Sequence, residues 1–598
     1  MPEQAKSPYS STRIVLWGIL IVAAPMALLA VPHATFDRDW TNNLWMDDYT
    51  RVYFIHHWRF PATYDVAGNV GIPQPMFYGP LLYPLLALIS EPFGVVIGVR
   101  LACALLWGLQ SYLVYRLTRA AGASVLESLA AAANMSWAVY PLTNLYNRSA
   151  LAEFFGTGFL VCAVAGGGLA ILEKYACRRI GWVLMSGLCT AMAMGSHAPT
   201  AMIGGCVIIL LGISAIPLAG PENGHPRLKR VGAMLLLAAG VAFILSPWIY
   251  VVWLTDGRLK VLEPANHLFS GAAQWRRYAS IDSWWARLKP LPNEDRWTVE
   301  KYPEWLTPHL DAQWNFPLAM LAVWNVAIIL CGKRDERRYK SARLLIASAT
   351  IATIALLAVS ISTGIQNAVP LTLAAVIQFP YRLVSHVNLA LFAIFIASRM
   401  ARDATLLPAR FLRADRIAVA TALLLSAAGL AIKLRHAAAV MVEPDLWATQ
   451  GSDEILRKLP FSFVGEHDFT VNDPQAGAAI AIGDSLNTLS APVGRGPAEP
   501  ISDSQADIPS SQWVTTSILN FPWNRLILDG KPVPFESVSD MQFHEAVFVS
   551  AGVHTFGYQF EPNRMWVILS VLSDVVFLFG ATACVASFII PLRDRSAQ

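Results

Sequence analysis

The sequence predicts a polytopic α-helical membrane protein, with about twelve transmembrane helices and a C-terminal extracytoplasmic β-sandwich. Composition is the first reason: 55% of the 598 residues are hydrophobic and only 14% are charged, whereas soluble globular chains carry roughly 25% charged residues. The mean hydropathy of +0.45 agrees with this. The second reason is a series of long apolar runs. The third is a polar segment near the C-terminus in which apolar and polar residues alternate.

The apolar runs define the expected spans, because a helix needs about 20 apolar residues to cross the hydrocarbon core. No small-residue cleavage site stands out after the first run, so we expect an uncleaved first helix rather than a signal peptide. The runs lie near 13–31, 95–117, 124–141, 149–172, 181–196, 198–219, 231–254, 316–332, 343–362, 382–399, 416–434 and 566–590.

Basic residues predict the orientation, because Lys and Arg are enriched in cytoplasmic loops. With both termini in the cytoplasm, six basic clusters fall on the cytoplasmic side. The pair Lys433 and Arg435 is an exception at the outer end of the eleventh run. The six clusters are at 116–119, 174–179, 227–230, 333–343, 399–416 and 593–595.

This topology predicts a transmembrane module over residues 1–435, with external loops at 32–94, 255–315 and 363–381. The first loop contains a short apolar stretch at 77–89, bounded by prolines, for which we expect an interfacial or re-entrant helix. The second loop is rich in Trp, which concentrates at the headgroup level, so it is expected to lie along the membrane.

Residues 436–565 are predicted to form an external, periplasmic β-rich domain, followed by a final span and cytoplasmic tail at 566–598. Asp529-Gly530 is a typical hairpin turn, and Ala551-Gly552 marks a second turn. A small module of this kind more often binds, positions or shields than carries the chemistry.

Two adjacent acids, Asp47 and Asp48, follow the end of the first run by about 15 residues, which places them at the outer membrane surface. A carboxylate at this level can act as a general base toward an acceptor hydroxyl, or it can bind a metal ion. The ordinary alternative is that these acids are only solvated.

Five stretches, in the same order along nearly the whole chain, resemble one family. They are Asp47-Asp48 with Arg59-Phe-Pro and Phe77-Tyr-Gly-Pro; Tyr140-Pro-Leu-Thr-Asn-Leu-Tyr-Asn-Arg-Ser-Ala-Leu-Ala-Glu153; Ser196-His-Ala-Pro-Thr; Gln378-Phe-Pro-Tyr-Arg382; and Leu528-Asp-Gly-Lys-Pro with Ala551-Gly-Val-His-Thr-Phe. The chain resembles the GT-C glycosyltransferases, in particular the bacterial branch named 6-pyruvoyl-tetrahydropterin-synthase-related membrane proteins, which borders on the YfhO-like glycosyltransferases. That branch often has Gly-His-Asp where this chain has Trp45-Met-Asp-Asp. Either acid could therefore be the matching residue.

The resemblance implies a multi-pass enzyme of the bacterial inner membrane, with its active site on the periplasmic or extracellular side. It would move a sugar from a polyprenyl-phosphate-linked donor in the lipid bilayer to a glycan, lipid or protein acceptor, and no nucleic-acid partner is expected. Asp48 or Asp47 would be the catalytic base, with Asp48 preferred. The two acids permit a divalent metal such as Mg²⁺ or Mn²⁺ without requiring one.

Arg382 is the predicted ligand of the donor phosphate, with Arg148 as a second one. Arg382 lies at the outer end of a span after a Pro-broken segment, and a guanidinium matches phosphate geometry. Its alternative role is to anchor ordinary lipid headgroups. The spacing of five between Arg148 and Glu153 disfavours a simple pair within one helix.

The remaining predicted pocket residues are polar or aromatic side chains near the same membrane face. His197 is either one of them or a buried histidine with satisfied hydrogen bonds. Adjacent histidines on a helix point apart, so a metal shared by the pair at 56–57 is disfavoured. The set is His56, His57, Tyr78, Tyr146, Glu153, His197 and Gln378.

Other classes are less favoured. No Walker loop or dinucleotide-binding Gly motif is visible, so ATP-driven transport is unsupported. The main alternative is a lipid-linked oligosaccharide transporter or a non-catalytic cell-envelope assembly protein. A flippase is expected to place ionisable residues in mid-span, whereas here the charges cluster at span ends.

Overall fold

A computed structural model describes most of the predicted transmembrane module and two parts of the C-terminal region. The described residues are 11–31, 43–44, 46–47, 50–51, 62–66, 69–74, 79–173, 175–218, 227–254, 259–260, 314–362, 365, 368–370, 377, 380–402, 408–439, 470–471, 504–519, 521–534, 539–541 and 544–596.

The described part is mostly helical. Seven helices are long and apolar enough to cross a membrane, namely those over Val95–Ala120, Leu151–Leu172, Ala198–Leu218, Glu336–Ser360, Leu383–Ala401, Ala409–Arg435 and Arg564–Ile589. The full helices are α1 (Ser11–Ala23), α2 (Leu82–Phe93), α3 (Val95–Ala120), α4 (Val125–Ser136), α5 (Val139–Tyr146), α6 (Leu151–Leu172), α7 (Ala176–Ser196), α8 (Ala198–Ala215), α9 (Arg227–Ile244), α10 (Ser246–Leu254), α11 (Phe316–Leu330), α12 (Glu336–Ile361), α13 (Leu383–Ala401), α14 (Ala409–Ala439) and α15 (Arg564–Ser596).

Each predicted run is helical, but the count of twelve spans is not confirmed. The run at 124–141 is broken between α4 and α5, where Ala138 adopts an extended backbone (ψ 134°). The run at 231–254 is broken between α9 and α10, just before Pro247, which has no N–H to continue the helix. Helix α11 has 15 residues, or about 23 Å of helix, which is shorter than a hydrocarbon core of about 30 Å.

Helices α13 and α6 form the centre of the bundle. Within their most apolar windows 94% and 72% of the residues are buried, against 50% or less in the other five long helices. Small residues let the backbones approach closely: a Cβ added to Gly166 of α6 would lie 3.3 Å from the backbone nitrogen of Ser186 on α7.

The short helix expected in the predicted first external loop is α2, which begins at Leu82 and ends at Phe93, somewhat later than predicted. Its 12 residues span about 18 Å, too short to cross a bilayer. One face, with Leu82, Tyr83 and Leu86, is fully buried against the bundle.

The described strands form two main sheets, with the orders β1-β2-β6-β10-β9 and β5-β11-β7-β8, and a separate pair, β3-β4. The hairpin β1-β2 lies in the segment predicted as the first external loop, and it joins the C-terminal strands through the parallel pair Val70 and Ile518. The strands are β1 (Ala62–Val66), β2 (Asn69–Gln74), β3 (Leu259–Lys260), β4 (Thr470–Val471), β5 (Ser504–Ile508), β6 (Gln512–Leu519), β7 (Asn524–Leu528), β8 (Lys531–Pro532), β9 (Ser539–Met541), β10 (His544–Val549) and β11 (Gly552–Phe560).

Both predicted turns connect strands. Asp529 and Gly530 have φ values of 51° and 71° and join the paired residues Leu528 and Lys531, as a type I′ hairpin requires. The turn before Gly552 joins β10 to β11, which lie in different sheets. One apolar cluster, including Val514 and Phe556, contains side chains from both sheets. The sandwich itself stays a prediction.

Aromatic side chains connect the C-terminal strands to the last helix. Trp523 stacks on Phe521 with 4.8 Å between ring centroids and lies 5.2 Å from Trp566 in the first turn of α15. Trp523 and Trp566 are fully buried. The C-terminal strands are therefore packed against the start of the final span.

Candidate functional site at one end of the helix bundle

Three of the predicted site residues meet in one buried cluster. Glu153, only 1% exposed, accepts hydrogen bonds at Oε2 from Nη1 of Arg148 at 2.9 Å and from Nε of Arg382 at 3.2 Å. The two arginine side chains are 13% and 9% exposed. Among the described residues, two guanidiniums therefore converge on the carboxylate of Glu153.

The starts of the two central helices position these groups. Glu153 lies in the first turn of α6, where the helix dipole favours a negative charge. The chain enters α6 through Ser149, whose φ of 46° turns the backbone directly after Arg148. Arg382 ends the short 3₁₀ turn Pro380–Arg382 before α13, and its Nη1 donates to the carbonyl oxygen of Ile377 at 3.1 Å.

Three further side chains complete the cluster, and sequence reasoning did not single them out. Tyr140 and Asn144, both on α5, donate to Oε1 of Glu153, the amide at 3.2 Å. Nη1 of Arg148 donates to Oδ1 of Asn144 at 2.6 Å, and its guanidinium lies 5.0 Å from the ring centroid of Tyr381. Positions 140 and 144 are four apart and share one face of α5, and Arg148, four residues further, follows the end of that helix at Tyr146. The regular spacing of the three residues is a signal from which the sequence could have grouped them.

His197 is the N-cap of α8, which explains the Ser196-His-Ala-Pro-Thr motif. Its Nδ1 accepts from the backbone N–H of Thr200 at 3.3 Å and lies 2.8 Å from the Thr200 hydroxyl. A Cβ added to Gly156, one turn after Glu153, would lie 3.3 Å from Cβ of His197. The histidine therefore lies close to the start of α6.

His386 links the start of α8 to the start of α13, and it was also missed. Its Nε2 lies 2.9 Å from the carbonyl oxygen of Thr200, and its Nδ1 lies 3.2 Å from that of Arg382. It follows Arg382 by four residues, so one helical turn places it directly below the arginine.

Two described residues of the predicted first external loop, Asn43 and Asp47, are held beside this cluster and by α2. Asn43 donates its amide to the carbonyl oxygen of Ser149 at 2.8 Å and accepts from the hydroxyl of Tyr83 at 2.7 Å. Asp47, four residues later, is fully buried and accepts a hydrogen bond from Ser90 of α2. Asn43, and with it the described start of this segment, is thus held next to Arg148.

Several predicted residues lie elsewhere. Tyr146 is buried and donates to the carbonyl oxygen of Pro25, near the end of the first helix. Asp48, His56, His57, Tyr78 and Gln378 lie outside the described residues. Among the residues that the structure does describe, no group of three or more His, Cys, Asp or Glu side chains could hold a metal ion. The suggested Mg²⁺ or Mn²⁺ site is therefore unsupported.

Comparison with known proteins adds one structural likeness. No family model matches the chain, and no curated protein matches it. A cryo-EM structure of the arabinofuranosyltransferase AftD from mycobacteria aligns with a TM-score of 0.42 at 12% sequence identity. The alignment covers 73% of this chain and 27% of the transferase, so the chain spans about a quarter of that protein's length. A likeness at this TM-score does not establish a shared fold.

Proposed function

We propose that this chain is a membrane glycosyltransferase of the GT-C type, which moves a sugar from a polyprenyl-phosphate donor to an acceptor. The observation that carries the proposal is the convergence of Arg148 and Arg382 on the single buried Glu153. The cluster lies where the two most buried spans begin, and its two converging guanidiniums suit a phosphate. Guanidiniums bind phosphate through paired, charge-assisted hydrogen bonds.

In this mechanism the acceptor hydroxyl oxygen attacks the anomeric carbon of the donor sugar while the bond from that carbon to the phosphate oxygen breaks. The polyprenyl phosphate leaves with the bonding electrons, and Arg382 and Arg148 stabilise its charge. An acid of the first loop takes the proton of the acceptor. Since Asp47 is buried and bound by Ser90, we assign the base to Asp48 and a positioning role to Asp47.

The other parts of the proposal follow from the topology predicted by the basic residues. The reaction takes place on the outer face of a bacterial inner membrane, with a glycan, lipid or protein as acceptor. His197, Gln378, Tyr78 and the pair His56 and His57 line the pocket. The β region, which the hairpin β1-β2 of the first loop joins, positions the acceptor or shields the site.

The same helix supplies a matched control for a binding test. Arg399, at the other end of α13, is also 9% exposed, and its Nε lies 3.0 Å from Oε2 of the buried Glu127. Substituting either arginine by glutamine leaves one buried glutamate without that partner. Glu153 keeps Arg148, whereas Glu127 loses its described arginine, so Arg399→Gln should perturb the fold at least as much as Arg382→Gln. Only Arg382→Gln should affect phosphate binding.

The test measures binding of undecaprenyl phosphate to the purified full chain in nanodiscs. We expect Arg382→Gln to weaken binding about tenfold or more, since charge-assisted hydrogen bonds contribute about 1.5–3 kcal/mol each, while Arg399→Gln stays within about twofold of the wild type. Equal losses in both variants would contradict a phosphate site at Arg382. If Asp47→Asn, Asp48→Asn and Arg382→Ala each left sugar transfer in membranes unchanged, the transferase proposal would fail.

A further inference from the structure

A single carboxylate, Asp574, lies within the final span and outside the cluster described above. It follows the start of α15 at Arg564 by ten residues, or about 15 Å of helix. Its side chain is exposed on the helix surface and lines a cleft between α15, the break between α9 and α10, and the start of α2.

Within the described residues Asp574 has no hydrogen bond and no ion pair, unlike the other acids of the bundle. Glu127 is bound by Arg399, Glu153 by two arginines, and Asp415 by Arg402 at 2.7 Å. An ionised group at membrane depth is costly unless it is paired, and it is therefore a functional candidate.

The helix break shapes the cleft and satisfies its neighbouring polar groups. Ser573 donates its hydroxyl to the carbonyl oxygen of Ile244, at the break that precedes Pro247. Ser570, one turn earlier on the same face of α15, donates to the carbonyl oxygen of Trp566 at 2.9 Å. Both serines therefore have partners in the protein, and the carboxylate of Asp574 is left to bind a ligand.

The cleft lies at the end of the bundle that carries the Arg148–Glu153–Arg382 cluster. Leu81 lines the cleft, and its backbone N–H donates to the carbonyl oxygen of Gly195 at 3.0 Å. Gly195 is two residues before His197, which caps α8 beside the start of α6. The cleft is thus at the end of the bundle where α7 ends and α8 begins, which the predicted topology places toward the outer lipid headgroups.

The lining residues define the chemistry of the occupant. The described lining of the cleft includes no Lys, Arg or His, and besides Asp574 it has two serines, three prolines, the apolar Leu81, Ile244 and Leu245, and Trp248. A carboxylate beside an aromatic ring suits an ammonium group, through an ion pair and a cation–π contact. The adjacent surface of α15 exposes Val571, Leu572 and Val575, over which acyl chains would pack.

We propose that Asp574 and the cleft around Trp248 bind the ammonium headgroup of an amine-bearing glycerophospholipid. The lipid would enter from the side, with its ammonium on the carboxylate and its acyl chains along α15. This site is separate from the proposed phosphate site, so a failure of one proposal leaves the other standing.

The test uses the full chain in nanodiscs made of equal parts phosphatidylethanolamine and phosphatidylglycerol, followed by mild extraction and native mass spectrometry of the retained lipid. We expect the wild type to retain phosphatidylethanolamine about tenfold over phosphatidylglycerol, a ratio that corresponds to about 1.4 kcal/mol. Asp574→Asn should reduce this ratio to that of the bulk mixture, Asp574→Glu should keep it, and Trp248→Leu should lower it. Binding of undecaprenyl phosphate should be unchanged in all three variants.

Thermal unfolding of each variant in the same nanodiscs checks that the fold is retained. If Asp574→Asn does not fold, Asp574→Glu and Trp248→Leu still decide the question, because the first must keep the preference and the second must lower it. A wild type without preference, or an Asp574→Asn variant that keeps the full preference, would overturn the proposal.

Discussion

Nε of Arg382 lies 3.2 Å from Oε2 of Glu153, although the two residues are 229 positions apart in the chain. This contact joins the starts of the two most buried spans, and Arg148 binds the same carboxylate oxygen. At the opposite end of α13, Arg399 is matched by one glutamate. The end of α13 near Arg382 thus brings two guanidiniums onto one carboxylate, and this is where we propose the donor phosphate.

Replacing the carboxylate tests this cluster. Glu153→Gln removes a counterion that two buried guanidiniums share, so we expect a loss of about 3–5 kcal/mol in unfolding free energy. Glu127→Gln should cost about as much at the other end of α13. Thermal unfolding in detergent, with and without undecaprenyl phosphate, measures both effects.

The lipid phosphate should restore stability to Glu153→Gln, because it supplies the missing negative charge between the two arginines. It should do little for Glu127→Gln, whose site is at the far end of the helix. Equal responses of the two variants to the lipid would contradict a phosphate site at the Glu153 cluster.

Asn43 should hold the first external loop in place. Asn43→Ala removes the hydrogen bonds to Ser149 and Tyr83, each worth about 0.5–1.5 kcal/mol. We expect faster amide hydrogen exchange in residues 43–51 and a fall in the rate of sugar transfer. Unchanged exchange in this segment would show that the loop is positioned by other contacts.

Two glycines on α3 test the packing around Ser90, the residue that binds Asp47. A Cβ at Gly98 would lie 2.2 Å from Oγ and 2.4 Å from Cα of Ser90, the residue that binds Asp47, whereas a Cβ at Gly108 meets nothing within 4 Å. Gly98→Ala should therefore cost about 1–3 kcal/mol and lower the transfer rate. Gly108→Ala should be neutral or stabilising by up to about 1 kcal/mol. Similar effects of the two substitutions on the unfolding midpoint would contradict the close packing of α2 on α3.

Asp529 and His554, which lie in the two C-terminal turn motifs, should form a pH-dependent contact. Asp529 accepts from the backbone N–H of Thr555 and lies 2.8 Å from Nδ1 of His554. The Thr555 N–H and then the imidazole lower the pKa of Asp529, and the hydrogen bond to Asp529 raises the pKa of His554.

The ionised Asp529 contributes to folding stability above about pH 4, and this contribution is lost as the pH falls through its lowered pKa. The protonated His554 contributes below about pH 6.5, and its contribution is lost as the pH rises through its raised pKa. The contact should thus be complete between about pH 4 and 6.5. We expect an NMR titration of His554, assigned with His554→Gln, to give a pKa above the ordinary histidine value, and Asp529→Asn to lower it. A titration unaffected by Asp529→Asn would refute the contact.

Local patterns predicted much of this molecule. The apolar runs all became helices, and Asp529-Gly530 forms the expected hairpin turn. Breaks at Ala138 and before Pro247 were missed because hydropathy averages over a window and does not register one extended or proline residue. The pairing of Val70 with Ile518 could not be predicted, because a single parallel pair between distant segments leaves no local signal.

The same limit applies to the candidate site. Arg382, Arg148, Glu153 and His197 were found because charged or polar side chains at span ends are unusual in so apolar a chain. Their mutual contacts could not be predicted, because they depend on how α6 packs against α13. The roles of Tyr140 and Asn144 were accessible from their spacing to Arg148, whereas the capping role of His197 depends on the close approach of α7 and α8 at one residue.

The most direct measurement is a cryo-EM density map of the full chain in nanodiscs with added undecaprenyl phosphate. Our account predicts phosphate density in contact with Arg382 and Arg148, with the head of the lipid facing the first loop that carries Asp47 and Asp48. Lipid density that follows a groove across the bilayer, with no acid near the headgroup and no contact to Arg382, would contradict it and favour a transporter.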